Sequence, residues 1–391
     1  MVIKPSQVQH SSRIELSLKA LKGNINFIRK KIGPDARISS VVKANAYGHG
    51  IGTFVGMAEK AGVDHFSVAS AFEAEEVLHA KSAKSDVMIM GILYKEDIPW
   101  AVEHEVEFYV FNYDRLPLAL AAAKKTGKKA RIHIEVETGA NRTGMQADEF
   151  PKALSYLRKH QEHLTFKGLC THFGGAESFA NKFKIDKQHA RYKEFLAQCK
   201  KKELLPEIRH IACSAAALAF PETVYDMVRT GVVQYGFWPS PEIKYHHLSQ
   251  EDKMQENGLK RLFTWKTDIM DLRDVREGEF IGYGTAYQAT QDMQVAVLPL
   301  GYSNGYPRAQ SNRGHVLING KKAPVCGLIN MNLFMVDVSH IEDVAVGDEV
   351  VLVGRQKNNV IHVSSFTEST QLLNNEMLSR LPAAIPREVV R

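Results

Sequence analysis

Eight short apolar runs between residues 37 and 236 constrain the fold of this chain more than any other feature of the sequence. Amphipathic stretches of helical period, such as FEAEEVLHA and FPKALSYLRKH, separate them. Strands that alternate with helices form a parallel sheet buried on both faces, and eight such units close into a (β/α)8 barrel. A doubly wound open sheet is the alternative, and the count of eight favours the barrel. The runs are RISSVVK (37–43), DHFSVAS (64–70), DVMIMGI (86–92), VEFYVFN (106–112), ARIHIEVE (130–137), FKGLCTHF (166–173), IRHIACS (208–214) and MVRTGVVQYG (227–236).

The pattern changes after about Pro241, where the helical alternation stops and β-rich runs follow one another closely. Turn signals separate these runs, including the Asn319–Gly320 pair that is typical of a two-residue hairpin. The runs are FTWKTDIMDLRDV, VAVLPLGY, GHVLING, APVCGLI, NLFMVDVS and DEVVLVGR. They predict a second, mostly β domain that ends with a helix at about Ser365 to Leu381, before Pro382.

We therefore expect two domains, a barrel over residues 13–245 and a β domain over residues 246–391. Residues 1–12 are expected to pack with the β domain. The polar stretch 241–260 is the candidate linker between the two.

Charge and cysteine usage narrow the possible partners. The net charge of +6 is small for 391 residues and is not gathered into a stripe, which argues against nucleic acid and suits a small anionic ligand. The four cysteines match neither a zinc site nor a disulfide framework, so we expect free thiols, no metal and a cytoplasmic protein. The N-terminal stretch has no apolar segment of secretory type, and no run reaches transmembrane length, so we expect no membrane association.

Chemically active side chains gather where the barrel strands end, which is where barrel enzymes carry their active sites. Together these side chains could bind a phosphorylated, aromatic ligand that bears a carbonyl group. They are Lys43, Glu135, Glu137, Arg142, His172, His210, Ser214 and Arg229, followed by Gly231.

Lys43 is the most informative of them, because it directly follows the apolar run SSVV and precedes a small, turn-forming segment. A partly buried lysine loses affinity for its proton, and its free amine can form a Schiff base. A lysine that extends its ammonium to solvent is the structural alternative. Ordinary explanations also exist for the others: a helix N-cap for Ser214, a core histidine for His172 and a salt bridge to Asp226 for Arg229.

The run VVKANAYGHG resembles, residue for residue, the cofactor-lysine motif of the alanine racemase family, which are pyridoxal-phosphate enzymes of fold type III. The resemblance extends over nearly the whole chain. Its further motifs are THF (171–173), HIACSAA (210–216), MVRTG (227–231), GYGTAY (282–287), PLGYSNGY (299–306) and INMNLFMVDV (329–338).

The resemblance implies a pyridoxal 5'-phosphate site in the barrel. Lys43 would hold the cofactor, His172 would pack against its ring, and Arg229 would hydrogen-bond the pyridine nitrogen. Because arginine stays protonated, that nitrogen would remain unprotonated and the ring would be a weaker electron sink. The resemblance implies that the phosphate is bound by Tyr47, Ser214 and the backbone N–H groups of Gly231 and Val232.

The resemblance also implies two-base racemisation that interconverts L-alanine and D-alanine. Lys43 would act on one face of Cα, and Tyr283 of a second subunit would act on the other, so the protein would be a homodimer with shared active sites. Arg142 and Met331 match substrate-binding positions. Residues that match supporting positions are Glu135, His210, Tyr302, Arg308 and Asn332.

Three departures from the family pattern bear on the substrate. Glu135 stands where many relatives have a carbamylated lysine, Asn332 replaces an aspartate, and Ala383 aligns with a tyrosine near the Ile385–Pro386–Arg387 end. Loss of a tyrosine at the pocket rim would leave room for side chains larger than methyl, and together with Asn332 it leaves a broad-spectrum racemase, acting on serine, lysine or arginine, as the alternative. A fold-III decarboxylase would be expected to have an acidic residue in place of Arg229, and a single-barrel cofactor-binding protein would lack the β domain. The sequence leaves the direction of flux open, whether cell-wall supply or D-alanine breakdown.

Overall fold

The computed structural model describes residues 9–250, 258–366 and 372–390. The chain divides into two compact units. The barrel unit consists of Lys19–Ala44 and Phe54–Arg261, and the β unit consists of the described parts of Met1–Leu18, Asn45–Thr53 and Leu262–Arg391. Of the N-terminal segment 1–12, residues 1–8 lie outside the described residues.

Strand β1 (Ser12–Ser17) belongs to the β unit, and the next eight strands form the barrel unit. These are β2 (Arg37–Val41), β3 (His65–Ser70), β4 (Asp86–Ile92), β5 (Glu107–Val110), β6 (Ala130–Glu135), β7 (Leu164–Cys170), β8 (Ile208–His210) and β9 (Met227–Thr230). They pair in parallel in the order β8-β7-β6-β5-β4-β3-β2-β9. An isolated parallel bridge between Cys213 and Arg229 nearly closes the ring. The predicted eight-stranded parallel barrel is confirmed.

Helices follow most of the barrel strands, as the alternating pattern predicts. They are α1 (Leu18–Ile32), α2 (Lys43–Tyr47), α3 (Ile51–Lys60), α4 (Ala71–Ala80), α5 (Ile98–Glu103), α6 (Arg115–Thr126), α7 (Phe150–Lys159), α8 (Lys182–Lys201), α9 (Ser214–Ala219) and α10 (Pro241–Gln250). The local sequence sets their ends: the Ser70 hydroxyl accepts the Glu73 N–H at the start of α4, and α6 stops at Gly127, whose φ is +71°.

Helix α10 occupies the first half of the stretch that its polar composition predicted to be a linker. The hydroxyl of Ser240 accepts the N–H of Ile243 at 3.2 Å, and Pro241 begins the helix, which is a favourable position for proline. These helix-start signals explain why the segment is helical although its composition is polar. Residues 251–257 of the predicted linker lie outside the described residues.

The β unit contains one ten-stranded sheet built from β1 and nine later strands. Those are β10 (Phe263–Asp268), β11 (Asp271–Val275), β12 (Met293–Leu298), β13 (His315–Ile318), β14 (Lys321–Cys326), β15 (Phe334–Asp337), β16 (Glu349–Gln356), β17 (Asn359–Ile361) and β18 (Arg387–Val390). The predicted β13–β14 hairpin is present, with Asn319 at φ +50° and Gly320 at φ +83°. Both angles are those of a type I′ turn. The mostly β character of the second domain is confirmed.

Within the span of the predicted C-terminal helix, at about Ser365 to Leu381, the structure contains the short helix α11 (Asn374–Ser379). Residues 367–371 of the predicted span lie outside the described residues. Across the part of the chain that the structure describes, we find no helix with the length and apolar character needed to span a bilayer.

Candidate active site

Lys43 begins α2, two residues beyond the end of β2. Partial desolvation lowers the pKa of its amine, the positive charge of Arg142 lowers it further, and Glu73 opposes both. Measured over the whole residue, Lys43 is exposed, so a ligand can reach the amine. The environment therefore favours the free amine that Schiff-base chemistry requires.

Helix α2 is left-handed. Ala44, Asn45, Ala46 and Tyr47 have φ values of +52°, +52°, +53° and +54°. L-residues pay roughly 1–2 kcal/mol each for this conformation, and such strain is concentrated at functional sites. The segment that follows the candidate cofactor lysine is therefore held in place by its surroundings.

Glu73 is one of the residues that hold this segment. Its carboxylate accepts the N–H of Ala44 at 2.7 Å and the N–H of Ala69 at 2.8 Å. Glu73 thus joins the first turn of α4 to the residue after Lys43, and its charge acts on the lysine amine. The sequence contained a signal for it, since Ser70 and Glu73 have the spacing of a capping box.

Arg229 is buried, with 4% of its surface exposed, on β9. Its Nη1 donates to His210 Nδ1 at 2.6 Å and to the His210 carbonyl at 2.8 Å, while its Nη2 donates to the Thr171 carbonyl at 2.8 Å. Within the described residues, its Nε–H has no acceptor. The salt bridge to Asp226 that we considered does not form, because Asp226 pairs with Arg209 at 2.7 Å.

That remaining N–H is the test of whether a pyridine ring fits this site. Nη1 and Nη2 are already bonded within the barrel unit, so Nε–H is the donor that the guanidinium can offer to a ligand. An unprotonated pyridine nitrogen is an acceptor for such a donor. The barrel unit therefore fits the cofactor ring at Arg229.

Ser214 and Gly231 lie together, as expected for the phosphate end of the site. The hydroxyl of Ser214 accepts the N–H of Gly231 at 2.8 Å, which leaves the hydroxyl proton to be donated elsewhere. In the described part of the chain, the N–H of Val232 meets no acceptor. Cys213, and not Ser214, is the N-cap of α9, so the capping explanation for Ser214 was wrong.

His172 follows β7 and is half-buried. Burial lowers its pKa to about 3, helped by the positive charges of Arg229, Arg142 and Lys43. The imidazole of His172 is therefore neutral near neutral pH. A neutral ring can pack against a flat aromatic ligand without adding charge.

Glu135 is buried at the end of β6. Burial raises the pKa of its carboxyl group, while a hydrogen bond from Thr143 and the charges of Arg229 and Arg142 act in the opposite direction. Arg142 is exposed on the loop beyond. Glu135 thus places a carboxyl group near both arginines, and among the described residues it makes no direct ion pair with Arg142.

Tyr283 lies on an exposed loop of the β unit. Its neighbours Gly282 and Gly284 both have positive φ, at +77° and +67°, and 70% of its side chain is exposed. Tyr283 and Gly282 line a surface cavity of about 400 Å³, together with apolar side chains of β11, β12 and β15. The phenol therefore projects from the surface instead of packing as an ordinary strand aromatic.

Tyr302, Met331 and Asn332 lie together in the same unit. The N–H of Tyr302 donates to the Asn330 carbonyl at 3.0 Å, and the Ser303 hydroxyl donates to the Met331 carbonyl at 2.7 Å. Asn332 Nδ2 donates to the Ser303 hydroxyl at 2.8 Å. The amide at position 332 therefore supplies a donor that an ionised aspartate could not supply.

Three further predicted site residues are Arg308, His210 and Tyr47. Arg308 is exposed at the start of a 3-10 helix (Arg308–Gln310). His210 is buried beside Arg229, and Tyr47 ends α2, where its carbonyl accepts a hydrogen bond from His49 Nδ1 at 3.0 Å.

Groups of three or more His, Cys, Asp or Glu side chains that could hold a metal do not occur among the described residues.

Arg387 is a residue whose importance the sequence did not reveal. Its guanidinium donates to the carbonyl of Gly48 at 3.0 Å and to those of Pro382 and Ala383 at 2.8 and 3.0 Å. Gly48 has φ +81°, and a Cβ there would lie 2.0 Å from the Leu378 carbonyl oxygen. The segment after the lysine is therefore fastened to the end of the chain.

Two family descriptions match this chain and together account for most of it. "Alanine racemase, N-terminal domain" matches residues 16–239, and "Alanine racemase, C-terminal domain" matches residues 262–389. An alanine racemase of Desulforamulus reducens is 35% identical over 373 residues, which are 95% of this chain and 97% of the relative.

Solved structures agree with this comparison. An alanine racemase from Streptomyces coelicolor A3(2) superposes with a TM-score of 0.85 at 29% identity, over 97% of this chain and 98% of the other. An alanine racemase from Bacillus anthracis, solved with L-Ala-P bound, has a TM-score of 0.87 at 27% identity, over 99% and 96% of the two chains. With both domains matched in order, the chain belongs to the alanine racemase family.

Proposed function

We propose that this protein is a pyridoxal-phosphate-dependent alanine racemase that interconverts L-alanine and D-alanine. The observation that carries the proposal is the buried guanidinium of Arg229, whose Nε–H bonds no acceptor among the described residues, in the same unit as the lysine whose pKa is lowered. Arginine at this place also argues against a decarboxylase, for which an acidic residue is expected there.

The cofactor would be held by Lys43 through its amine, by Arg229 at the pyridine nitrogen, and by His172 at the face of the ring. Ser214, Tyr47 and the N–H groups of Gly231 and Val232 would bind the phosphate. When bound, pyridoxal phosphate supplies an electron-accepting ring that makes the Cα proton of an amino acid acidic.

Arg229 controls how strongly electrons are withdrawn. Its guanidinium does not deprotonate in a protein, so it can only donate, and it would keep the pyridine nitrogen of a bound cofactor unprotonated. The weaker electron sink would favour return of a proton to Cα, which is racemisation, over transfer of the amino group.

Two bases are needed because a proton must leave one face of Cα and return to the other. Lys43 provides the first, with a pKa that its surroundings already lower. We assign the second to Tyr283 of a partner subunit, supported by its exposure between two glycines. The proposal therefore includes a homodimer whose active sites take residues from both chains.

The substrate carboxylate would be bound by Arg142 and by the backbone near Met331, which is 55% exposed. Glu135 would keep Arg142 oriented through charge. The exposed position of Ala383 and the Asn332–Ser303 hydrogen bond leave a broader substrate range as the second candidate. The four free cysteines suit a reducing cytoplasm, where the reaction could supply D-alanine to the cell wall or remove it.

The test is to incubate the protein, with pyridoxal phosphate, in D₂O with L-alanine and to follow optical rotation and deuterium at Cα. We expect the rotation to fall to zero and both enantiomers to carry deuterium. Lys43→Ala is the control that should do neither. Unchanged rotation without exchange would contradict the proposal for alanine, and the same assay with serine, lysine and arginine would then decide the broader alternative.

A further inference from the structure

A chain of buried polar side chains runs through the interior of the barrel unit from Arg229 to Glu107. We propose that Glu107 is a remote positioning residue, which fixes the tautomers of His133 and His210 and thereby the guanidinium of Arg229. This inference rests on the proposed function, because Arg229 is the residue that would bind the pyridine nitrogen. Glu107 itself would touch neither cofactor nor substrate.

The links of this chain are short. Arg229 Nη1 lies 2.6 Å from His210 Nδ1, and His210 Nε2 lies 2.8 Å from His133 Nδ1. His133 Nε2 lies 2.8 Å from Glu107 Oε2. His133, His210 and Glu107 are completely buried.

Only one arrangement of protons satisfies these contacts when both imidazoles are neutral. Arginine has no acceptor, so His210 Nδ1 must accept and its proton must stand on Nε2. His210 Nε2 then donates to His133 Nδ1, which forces the proton of His133 onto its own Nε2. That proton is donated to the carboxylate of Glu107, so every donor points away from Arg229.

The charges agree with this arrangement. Burial alone would raise the pKa of Glu107, but the hydrogen bonds that its carboxylate accepts from His133 and His65 hold the pKa well below its ordinary value. Burial lowers the pKa values of His133 and His210, so both imidazoles stay neutral. Arg131 Nη2 donates to the other carboxylate oxygen at 2.6 Å, and His65 Nε2 lies 3.1 Å from Oε2.

Gly168 leaves the space in the barrel unit that the imidazole of His133 occupies. Gly168 on β7 is paired in register with His133 on β6, and a Cβ at Gly168 would lie 2.0 Å from His133 Nδ1. The imidazole therefore occupies the space that a side chain at position 168 would fill. Such a site fits one orientation of the ring, which is the property that a positioning chain requires.

Loss of the Glu107 charge would leave the tautomer of His133 undetermined. If His133 moved its proton to Nδ1, His210 Nε2 would face a donor, and His210 could place its proton toward Arg229. The guanidinium would then lose one of its three close acceptors, and the carbonyls of His210 and Thr171 alone would hold it less strictly. A less strictly placed Arg229 would keep the pyridine nitrogen of a bound cofactor unprotonated less reliably, and transfer of the amino group would compete more often with racemisation than in the wild-type enzyme.

Transfer of the amino group, or transamination, is a measurable side reaction. Alanine passes its amino group to pyridoxal phosphate, which becomes pyridoxamine phosphate, and pyruvate is released. Atoms balance without any other reactant, since the one water consumed on release of pyruvate equals the water formed when the cofactor first condensed with Lys43, whose amine alanine displaces. The ratio of pyruvate formed to alanine racemised therefore reports the state of Arg229, whereas a merely structural defect lowers both together.

The experiment compares Glu107→Gln with Asp86→Asn in the holoenzyme. Asp86 also bonds Arg131, at 2.9 Å, yet bonds no imidazole among the described residues, so it is a matched carboxylate-to-amide control. We expect Glu107→Gln to raise the ratio about tenfold, as for loss of one charge-assisted hydrogen bond. Glu107→Asp should restore part of it, and Asp86→Asn should leave it unchanged.

A second measurement does not depend on any variant folding. In ¹⁵N spectra of histidine-labelled wild-type holoenzyme, His133 and His210 should both be neutral and carry their protons on Nε2. A positively charged imidazolium at His133 or His210 would overturn the inference, and so would a neutral ring with its proton on Nδ1. An unchanged pyruvate ratio in Glu107→Gln would overturn it as well. Wild-type enzyme that fails to racemise alanine contradicts the proposed function instead, and the ¹⁵N tautomers still decide the positioning chain.

Discussion

Arg387 holds Gly48, which precedes it by 339 residues, through two donors to one carbonyl: Nε at 3.3 Å and Nη2 at 3.0 Å. Burial lowers the pKa of Arg387 to about 10, and the bonds to backbone carbonyls offset that cost. Gly48 directly follows the left-handed helix α2. The C-terminal residues therefore help to maintain the strained segment beyond Lys43.

Arg387→Ala should lower the free energy of unfolding by about 2–4 kcal/mol, because several partly buried carbonyls lose their donor. Cofactor affinity should also fall, since the segment after Lys43 is released. Chemical denaturation and absorbance titration with pyridoxal phosphate measure the two effects. Arg380→Ala is the control, because Arg380 makes only an exposed pair with Glu376, and it should cost at most about 0.5 kcal/mol.

Gly48→Ala should be severely destabilising, by about 3 kcal/mol or more, since a methyl group would meet the Leu378 carbonyl where φ is also positive. Gly52→Ala is the matched change four residues later, in α3, where a Cβ meets nothing within 4 Å. It should be neutral or stabilise by up to about 1 kcal/mol. Thermal unfolding of both variants checks this, and equal losses would show that the close contact is unimportant.

Tyr283→Phe should leave the fold intact, because 70% of the side chain is exposed, and should reduce racemisation by about 10²–10⁴-fold. Exchange of the Cα proton on the lysine face should continue. Deuterium entry into L-alanine and D-alanine, each measured separately, distinguishes the two faces. Tyr287→Phe, on the same loop, is the control, and a Tyr283 variant that still racemises at the wild-type rate would show the second base to be elsewhere.

Stability should fall as the pH falls below about 6.5, the ordinary pKa of histidine. His49 is buried, and burial lowers its pKa to about 4 in the folded protein, so the unfolded chain binds the proton first. A lowered folded pKa gives stability that is present above pH 6.5 and is lost toward pH 4, by at most about 1.4 kcal/mol per pH unit. His49→Gln should flatten this slope in denaturation curves taken across the window, and an unchanged slope would assign it to other groups.

The parts of the fold that depend on repeating patterns were predictable. The apolar runs around β2 to β9 had the length of strands, and Asn319–Gly320 had the composition of its turn. Long-range contacts were not predictable, because no local pattern encodes them. Arg387 looks like any arginine near a chain end, and nothing in Asp226 shows that it pairs with Arg209 instead of Arg229. The left-handed α2 was hidden for a related reason, since Ala44 and Ala46 are good formers of right-handed helices.

The residues of the candidate site were likewise predictable only in part. Lys43 and Arg229 could be identified from a ten-residue motif and a strand end. Glu73 and Glu107 act through geometry, the first by accepting two N–H groups and the second by ending a chain of imidazoles. Their identity as carboxylates is visible in the sequence, but their partners are brought together only by the barrel.

The division of the chain into two units has a consequence for protein engineering. The segment Asn45–Thr53, which directly follows Lys43, belongs to the β unit although the chain on either side of it belongs to the barrel unit. A cut between Arg261 and Leu262 would therefore not yield two self-sufficient fragments, because the first would carry a piece of the second. Chimaeras that exchange residues 262–391 between relatives should exchange that short segment as well, because Lys43 would otherwise be followed by a stretch that belongs with the β unit of the other relative.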